Sequence, residues 1–344
     1  MKLRSILIAT IAALTIASCQ NAPKEDAYRR HTGFVFGTSY SFIYKSKTDL
    51  YKQILDSLAV YDASLSFFNP NSLLSQLNDA DSIVADAHLL RVIQVAKDFH
   101  KSSNGAFDIT IGPLSQLWRF TKDLHNDTIS VQQWDSIGAK LDSVKPLVGL
   151  DKITIDGNVV RKADRRMKIN ASAIAEGYGI DIAAAVLDSL GVTDYMVEIG
   201  GEIHCKGLNP KGKKWRVGID CPNEKSTIIN RKNKRVIEVS DCAVSTSGSY
   251  RQCYHVADGR RIQHTIDPRT GYPVCHSMES VTVVGQSTAI TDVLCTILMV
   301  IGPDSALQKI GSYPNVEAYI IYRDADGNQQ EQMTDGFRLY LDEQ

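Results

Sequence analysis

Residues 289–302 read AITDVLCTILMVIG, with Ile290, Val293, Leu294, Ile297, Leu298, Met299 and Val300 distributed around every side of a helix. The run falls well short of the roughly 20 residues that span a bilayer. A helix that is apolar nearly all round and too short for a membrane has to be enclosed by protein. The chain must therefore fold around it with a sizeable core, and 344 residues suffice for one large domain or two closely packed lobes. Within the run, Asp292 and Thr296 stand four apart and share a helix face. A carboxylate and a hydroxyl on a buried helix suit a hard, oxygen-seeking cation such as Mg²⁺. An alternative is local: Thr296 bonds back to the carbonyl of Asp292, while the carboxylate favours the helix start.

The surrounding sequence alternates helical and strand patterns without repeats. Leu50, Ile54, Leu55 and Leu58 recur at helical spacing, predicting a helix over 48–61. Asp86 is placed to cap a second helix that Gly105 ends, and a third is predicted over 130–141. Residues 153–160 read as a hairpin turning at Asp156-Gly157. Residues 195–203, 215–219, 236–240, 280–284, 318–322 and 337–340 read as strands. This mixed order predicts an α+β fold of largely antiparallel sheets with packed helices, rather than a doubly wound parallel one.

The N-terminus has the form of an export signal. Lys2 and Arg4 precede an apolar run over 6–16 too short to span, and Ile16-Ala17-Ser18-Cys19 resembles a lipoprotein cleavage box. The expected organisation is a signal peptide over 1–18, a lipidated Cys19, a flexible tether over 19–30 and one folded domain over 31–344. Gln20 after the cysteine favours the outer membrane, facing the periplasm. The net charge of −1, with both signs scattered, gives no footprint for nucleic acid. The basic clusters at 161–168 and 211–214 read as solvated loops. The cysteines after Cys19 show no metal-knuckle spacing, which argues against zinc, and the pattern does not fix any disulfide pairing.

Other segments suit a ligand cleft. Ser245-Thr246-Ser247-Gly248 reads as a turn whose backbone lies close against something. Residues 261–266 read as a strand bringing His264 to its end, beside the tight turn Asp267-Pro268-Arg269-Thr270-Gly271. A lone histidine is more often structural than catalytic. Residues 168–181, KINASAIAEGYGID, end a strand and start a helix that Ser172 is placed to cap; Ile174, Tyr178, Ile182, Val186 and Leu190 follow as its stripe. The amides at that helix start suit a phosphate or carboxylate, while its two glycines suit either a ligand or a packed neighbour. Glu198-Ile199-Gly200-Gly201-Glu202 reads as a bulge. Phe36-Gly37-Thr38 and the aromatic loop with Phe67 and Phe68 would by default be a strand start and a loop. In Gly105-Ala106-Phe107-Asp108, a helix end followed by a buried Phe accounts for all but the acid.

Taken together, STSG, HTIDPRTG, GAFD, the segment from Asn170 to Tyr178, EIGGE and the Asp292/Thr296 pair resemble the ordered motifs of the ApbE family, the FAD:protein FMN transferases. The resemblance implies one FAD-binding body with the dinucleotide in a cleft between two lobes. It implies FAD contacts from Phe36, Phe68, Ala106, Phe107, Asp108, Asn170, Glu176, Ser247, Gly248 and Ile266. It implies Mg²⁺ held by the Ala173 carbonyl, Asp292 and Thr296, with His264 as the base. Asn170 stands where an aspartate is usual, and Cys295 where some members have another aspartate ligand, which implies a leaner site relying on water. The implied reaction moves FMN from FAD to a Thr or Ser hydroxyl of an exported or membrane redox subunit, releasing AMP. An FAD pyrophosphatase, or an FAD-binding lipoprotein without transfer, is the alternative.

Overall fold

The computed structural model describes residues 26–67, 69–118, 128–223, 232–250 and 253–342. The chain opens with β1 (Ala27–Val35), β2 (Thr38–Ser46), α1 (Tyr51–Leu65), α2 (Leu73–Asp79), β3 (Ser82–Val84) and α3 (Ala87–Ser102). It continues through α4 (Gly112–Trp118), β4 (Thr128–Ile129), α5 (Val131–Gly138), α6 (Leu141–Val144), β5 (Ile153–Asp156), β6 (Val159–Lys162) and α7 (Ser172–Ser189). The hairpins β7 (Tyr195–Ile199) with β8 (Glu202–Lys206), and β9 (Trp215–Asp220) with β10 (Asn233–Val239), come next. Then follow β11 (Cys242–Gly248), β12 (Cys253–Val256), β13 (Arg261–Gln263), β14 (Met278–Gly285), α8 (Thr288–Ile301), α9 (Pro303–Ile310), β15 (Glu317–Arg323) and β16 (Gln329–Met333).

The main sheet has the order β1-β2-β7-β8-β11-β14-β15-β16, every pair antiparallel. The α+β architecture expected from the mixed pattern is what forms. Helices α7 and α8 pack on one face, and the β9–β10 hairpin covers part of the other with Trp215, Val217, Ile237 and Val239. Strand β14 is consequently buried along its whole length: Val281 and Val283 face the helical core, and Val284 joins the opposite cluster. The apolar helix is α8, its Val293, Leu294, Ile297 and Leu298 fully enclosed. Each such side chain contributes roughly 1.5–3 kcal/mol relative to exposure. Among the described residues, no helix is long and apolar enough to cross a membrane. A separate small unit, β13-β12-β4 with α4, α5 and α6, gathers Leu114, Trp118, Trp134, Tyr254, Ile262 and Ile266 into its own cluster.

Several local expectations hold. Asp86 caps α3 by accepting from the Leu89 amide at 2.9 Å. Ser130 forms a capping box with Gln133 at the start of α5. The structure differs elsewhere. Residues 27–30 of the expected tether are strand, paired with 43–46 of β2. Residues 245–248 are strand rather than turn, because their hydroxyls find partners: Ser245 Oγ with Thr291 Oγ1 at 2.8 Å, and Thr246 Oγ1 with Thr282 Oγ1 across to β14 at 2.9 Å. Gly200 and Gly201, with φ 67° and 102°, make a hairpin turn and not a bulge. Phe36, at φ 54°, turns the β1–β2 hairpin. Residues 336–340 form a 3₁₀ turn that buries Phe337 against Tyr319, while β16 takes the edge position. Lys162, inside a cluster read as solvated, is buried, donating to the carbonyls of Asn78, Arg165 and Met167 at 3.0, 3.0 and 2.9 Å. The cysteines after Cys19 are all free thiols. The signal peptide, Cys19 and Phe68 lie outside the described residues.

Candidate active site

A cavity of about 530 Å³ opens between the small unit and the helical side of the main sheet. From the small unit come His264, one residue past the end of β13, and Ile266, in an isolated bridge to Pro273. The following turn is built as its sequence suggests. The Gly271 amide donates to the Asp267 carbonyl at 2.7 Å with φ 81°, and the Asp267 carboxylate accepts from the Arg269 amide at 2.9 Å. Trp118 Nε1 donates to the Gly271 carbonyl at 2.8 Å and ties the turn to the unit's core. The end of β11 contributes Ser247 and Gly248.

The loop after α3 adds Ala106, Phe107 and Asp108. The Asp108 carboxylate braces this loop: Oδ1 accepts from the Thr110 amide and hydroxyl at 2.8 and 2.6 Å, and Oδ2 from the Leu150 amide at 3.1 Å. His100 Nδ1 lies 3.3 Å from Oδ2. Burial pushes this carboxyl upward against those hydrogen bonds.

Helix α7 presents Asn170, Ala173 and Glu176. Ser172 is its first residue and not its cap; Asn170 Oδ1 accepts from the Ser172 amide at 3.0 Å and hydroxyl at 2.8 Å. Ala173 departs from helical dihedrals, with ψ 16°, and the Gly177 amide donates to the carboxylate of Asp292. Gly177 is glycine for packing: a Cβ there would stand 2.5 Å from the Thr288 carbonyl oxygen of α8. Phe36 is not in this cavity. It lines a smaller, mostly apolar pocket with Tyr61 and Leu74, which shares Ser172 and Glu176 with the large one.

Asp292 and Thr296 reach the cavity from α8. The helix starts at Thr288 with Ser287 as cap, so Asp292 sits in the second turn and does not serve the helix start. That service comes from another helix. Asp181 of α7 accepts from Ser287 Oγ at 2.6 Å and from the amides of Thr288 and Ala289 at 2.8 and 3.1 Å, with His204 Nδ1 at 3.2 Å. Burial pushes the Asp181 carboxyl up, but these donors outweigh it and hold it below the ordinary range. The clamp fixes the two halves of the candidate cation site, α7 and α8, against each other.

Sequence reasoning missed two residues here, Asp181 and Glu202. The Gly200-Gly201 turn delivers Glu202 into the cavity beside Asp292 and passes so close to Glu176 that a Cβ on Gly200 would lie 2.8 Å from its Oε2. Burial, and then the neighbouring carboxylates Asp292 and Glu176, push Glu202 well above the carboxylate range. Burial and Glu176 raise Asp292, while its bonds from Glu202 and the Gly177 amide pull it back. Cys295 is turned away into the sheet, donating to the Ser245 and Val281 carbonyls at 3.3 and 3.7 Å. Among the described residues, Asp108, Glu176, Glu202 and Asp292 line the cavity without any Lys or Arg. Among the described residues no group of three or more His, Cys, Asp and Glu forms a ready metal cluster. Asp292 Oδ2 and Glu202 Oε2 are nonetheless buried without a donor, which suits a divalent cation.

The ApbE family model matches residues 36–320. An FAD:protein FMN transferase of Vibrio cholerae is 32% identical over 354 residues, covering 98% of this chain and 99% of its own. One of Haemophilus influenzae is 34% identical over 346 residues, covering 95% and 94%. The solved structure of the flavin transferase ApbE from Vibrio cholerae matches with a TM-score of 0.78 at 31% identity, covering 92% of this chain and all of that one. The apo flavinyl transferase ApbE of Pseudomonas stutzeri gives 0.78 at 29% identity, covering 92% and 98%.

Proposed function

This chain belongs to the ApbE family, and from that premise we propose that it is a flavin transferase moving FMN from FAD to a threonine or serine hydroxyl of a partner redox protein. The observation that carries the proposal is the single cavity in which His264 and the Ala173, Asp292 and Thr296 edge line the same space. The hydroxyl oxygen attacks the FMN phosphorus, forming a phosphoester. The bond from that phosphorus to the bridging oxygen breaks, and AMP departs with that oxygen. His264 takes the hydroxyl proton.

The other residues bind and orient. Ala106, Phe107 and Ile266 offer apolar surface, Ser247 and Gly248 a strand end, and Asn170 the start of α7. Phe36 serves an adjoining apolar pocket. Asp292, Thr296 and the Ala173 carbonyl, at a kink where the helical ladder is loosened, would hold Mg²⁺. When bound, the cation would supply positive charge against the pyrophosphate in a cavity whose described lining has no Lys or Arg. We further propose, from the N-terminal pattern, that the chain is exported and lipid-anchored through Cys19, where its acceptors are exported or membrane subunits.

The test is His264→Ala. Transfer to an acceptor is expected to fall roughly 10²- to 10⁴-fold with FAD binding, followed by flavin fluorescence, largely intact. Loss of FAD binding with an unchanged rate at saturation would make His264 a binding residue and leave the base unassigned.

A further inference from the structure

We infer that Glu202 is the second carboxylate of the cation site, binding the divalent cation together with Asp292. The inference rests on the reading of this cavity as one that uses such a cation. Its own support is geometric. Asp292 is 5% exposed, and its Oδ2 has no donor; Glu202 Oε2 is buried and also has none. Both acceptors belong to residues that line one cavity. Only a proton or a cation resolves such a pair, since an unpaired buried charge costs several kcal/mol.

Among the described residues, the cavity wall contains Glu176 and Asp108 but no Lys or Arg. Asp108 is already engaged by Thr110 and Leu150. Glu176 packs against the Gly200 turn. Position 295, on the same helix as Asp292, offers nothing, because its thiol is bonded into the sheet. Two carboxylates, with Thr296 and the Ala173 carbonyl beside them, make the all-oxygen donor set that a hard cation selects.

The measurement is Mn²⁺ binding to the full chain, by calorimetry and by loss of the free-ion paramagnetic resonance signal, with and without FAD. Glu202→Gln keeps the shape and removes an acidic group beside Asp292, so the metal-free variant is expected to melt at or above the native temperature. Its Mn²⁺ affinity should fall at least ~10-fold, the lower bound for groups that merely support ligands. Asp292→Asn should behave alike, and Glu202→Asp should lose less. Native affinity in Glu202→Gln, with loss in Asp292→Asn, would overturn the role of Glu202 and leave the proposed function standing. Should the Gln variant not fold, native affinity in Glu202→Ala overturns it equally. No Mn²⁺ uptake by the native protein, even with FAD, would remove both this inference and the cation reading beneath it.

Discussion

Lys162 illustrates at the scale of one side chain how a buried group differs from its sequence appearance. Burial, and then the nearby Lys168, lower its pKa from 10.5 to about 8. The folded protein therefore releases this proton before the unfolded chain does, and between about pH 8 and 10.5 the unfolded state binds more protons. Stability from this group rises with pH through that window and is lost as pH falls through 8. Lys162→Met removes the increment and leaves the three carbonyls without their donor, costing about 1–3 kcal/mol. In urea unfolding at a series of pH values from 7.5 to 10, the native protein's advantage over the variant should widen with pH. A constant advantage would mean Lys162 titrates as an exposed lysine. Nothing in the basic run 161–168 signals this, since the acceptors are backbone carbonyls, two in the run itself at Arg165 and Met167 and one from Asn78 in a distant segment. The placement of His264 beside its turn, by contrast, was legible because that turn is local: proline, aspartate and glycine fix the backbone within a few residues. Glu202 was not, because its significance is a neighbour contributed by a helix far along the chain.

At the scale of elements, the apolar pattern identified α8 and its Asp292/Thr296 face, and the helical stripe identified α7. Their mutual docking was hidden, because Asp181 spends its carboxylate on amides of α8 that no sequence spacing relates to it. The strand reading of 337–340 failed for a similar reason: Phe337 is buried in a 3₁₀ turn by Tyr319, a packing choice that overrides local propensity. The clamp gives a prediction. Asp181→Asn keeps an acceptor but loses the charge facing the helix start, an interaction worth about 0.3–2 kcal/mol. Melting should fall accordingly, and Mn²⁺ affinity should fall with it, because the Ala173 and Asp292 sides are no longer held in register; Asp181→Glu should restore part of both. Lower stability with unaltered Mn²⁺ affinity would make the clamp a stabilising contact alone.

At the scale of the whole molecule, the cavity lies between two separately packed units, and a hydroxyl from water or from an acceptor protein competes for the same phosphorus. Asn170 stands on this boundary, linked through its amide to Ile109 at 2.7 Å and through its side chain to the start of α7. An aspartate there would accept the same two bonds from Ser172 and favour the helix start by about 0.3–1 kcal/mol. It would also add a fifth carboxylate to a wall whose described residues already have four. Asn170→Asp is therefore expected to raise the cation concentration needed for half-maximal rate and to shift the ratio of free to protein-bound FMN, with total AMP release staying within about tenfold, one pK-unit equivalent of 1.4 kcal/mol. Chromatography of AMP, free FMN and protein-bound FMN, with and without an acceptor carrying an exposed threonine, reads all three. For the native chain, protein-bound FMN should account for most of the AMP once acceptor is in excess. Stoichiometric free FMN under that condition would make water the true nucleophile, and AMP release appearing only in Asn170→Asp would show that the charge asparagine lacks is required for the chemistry.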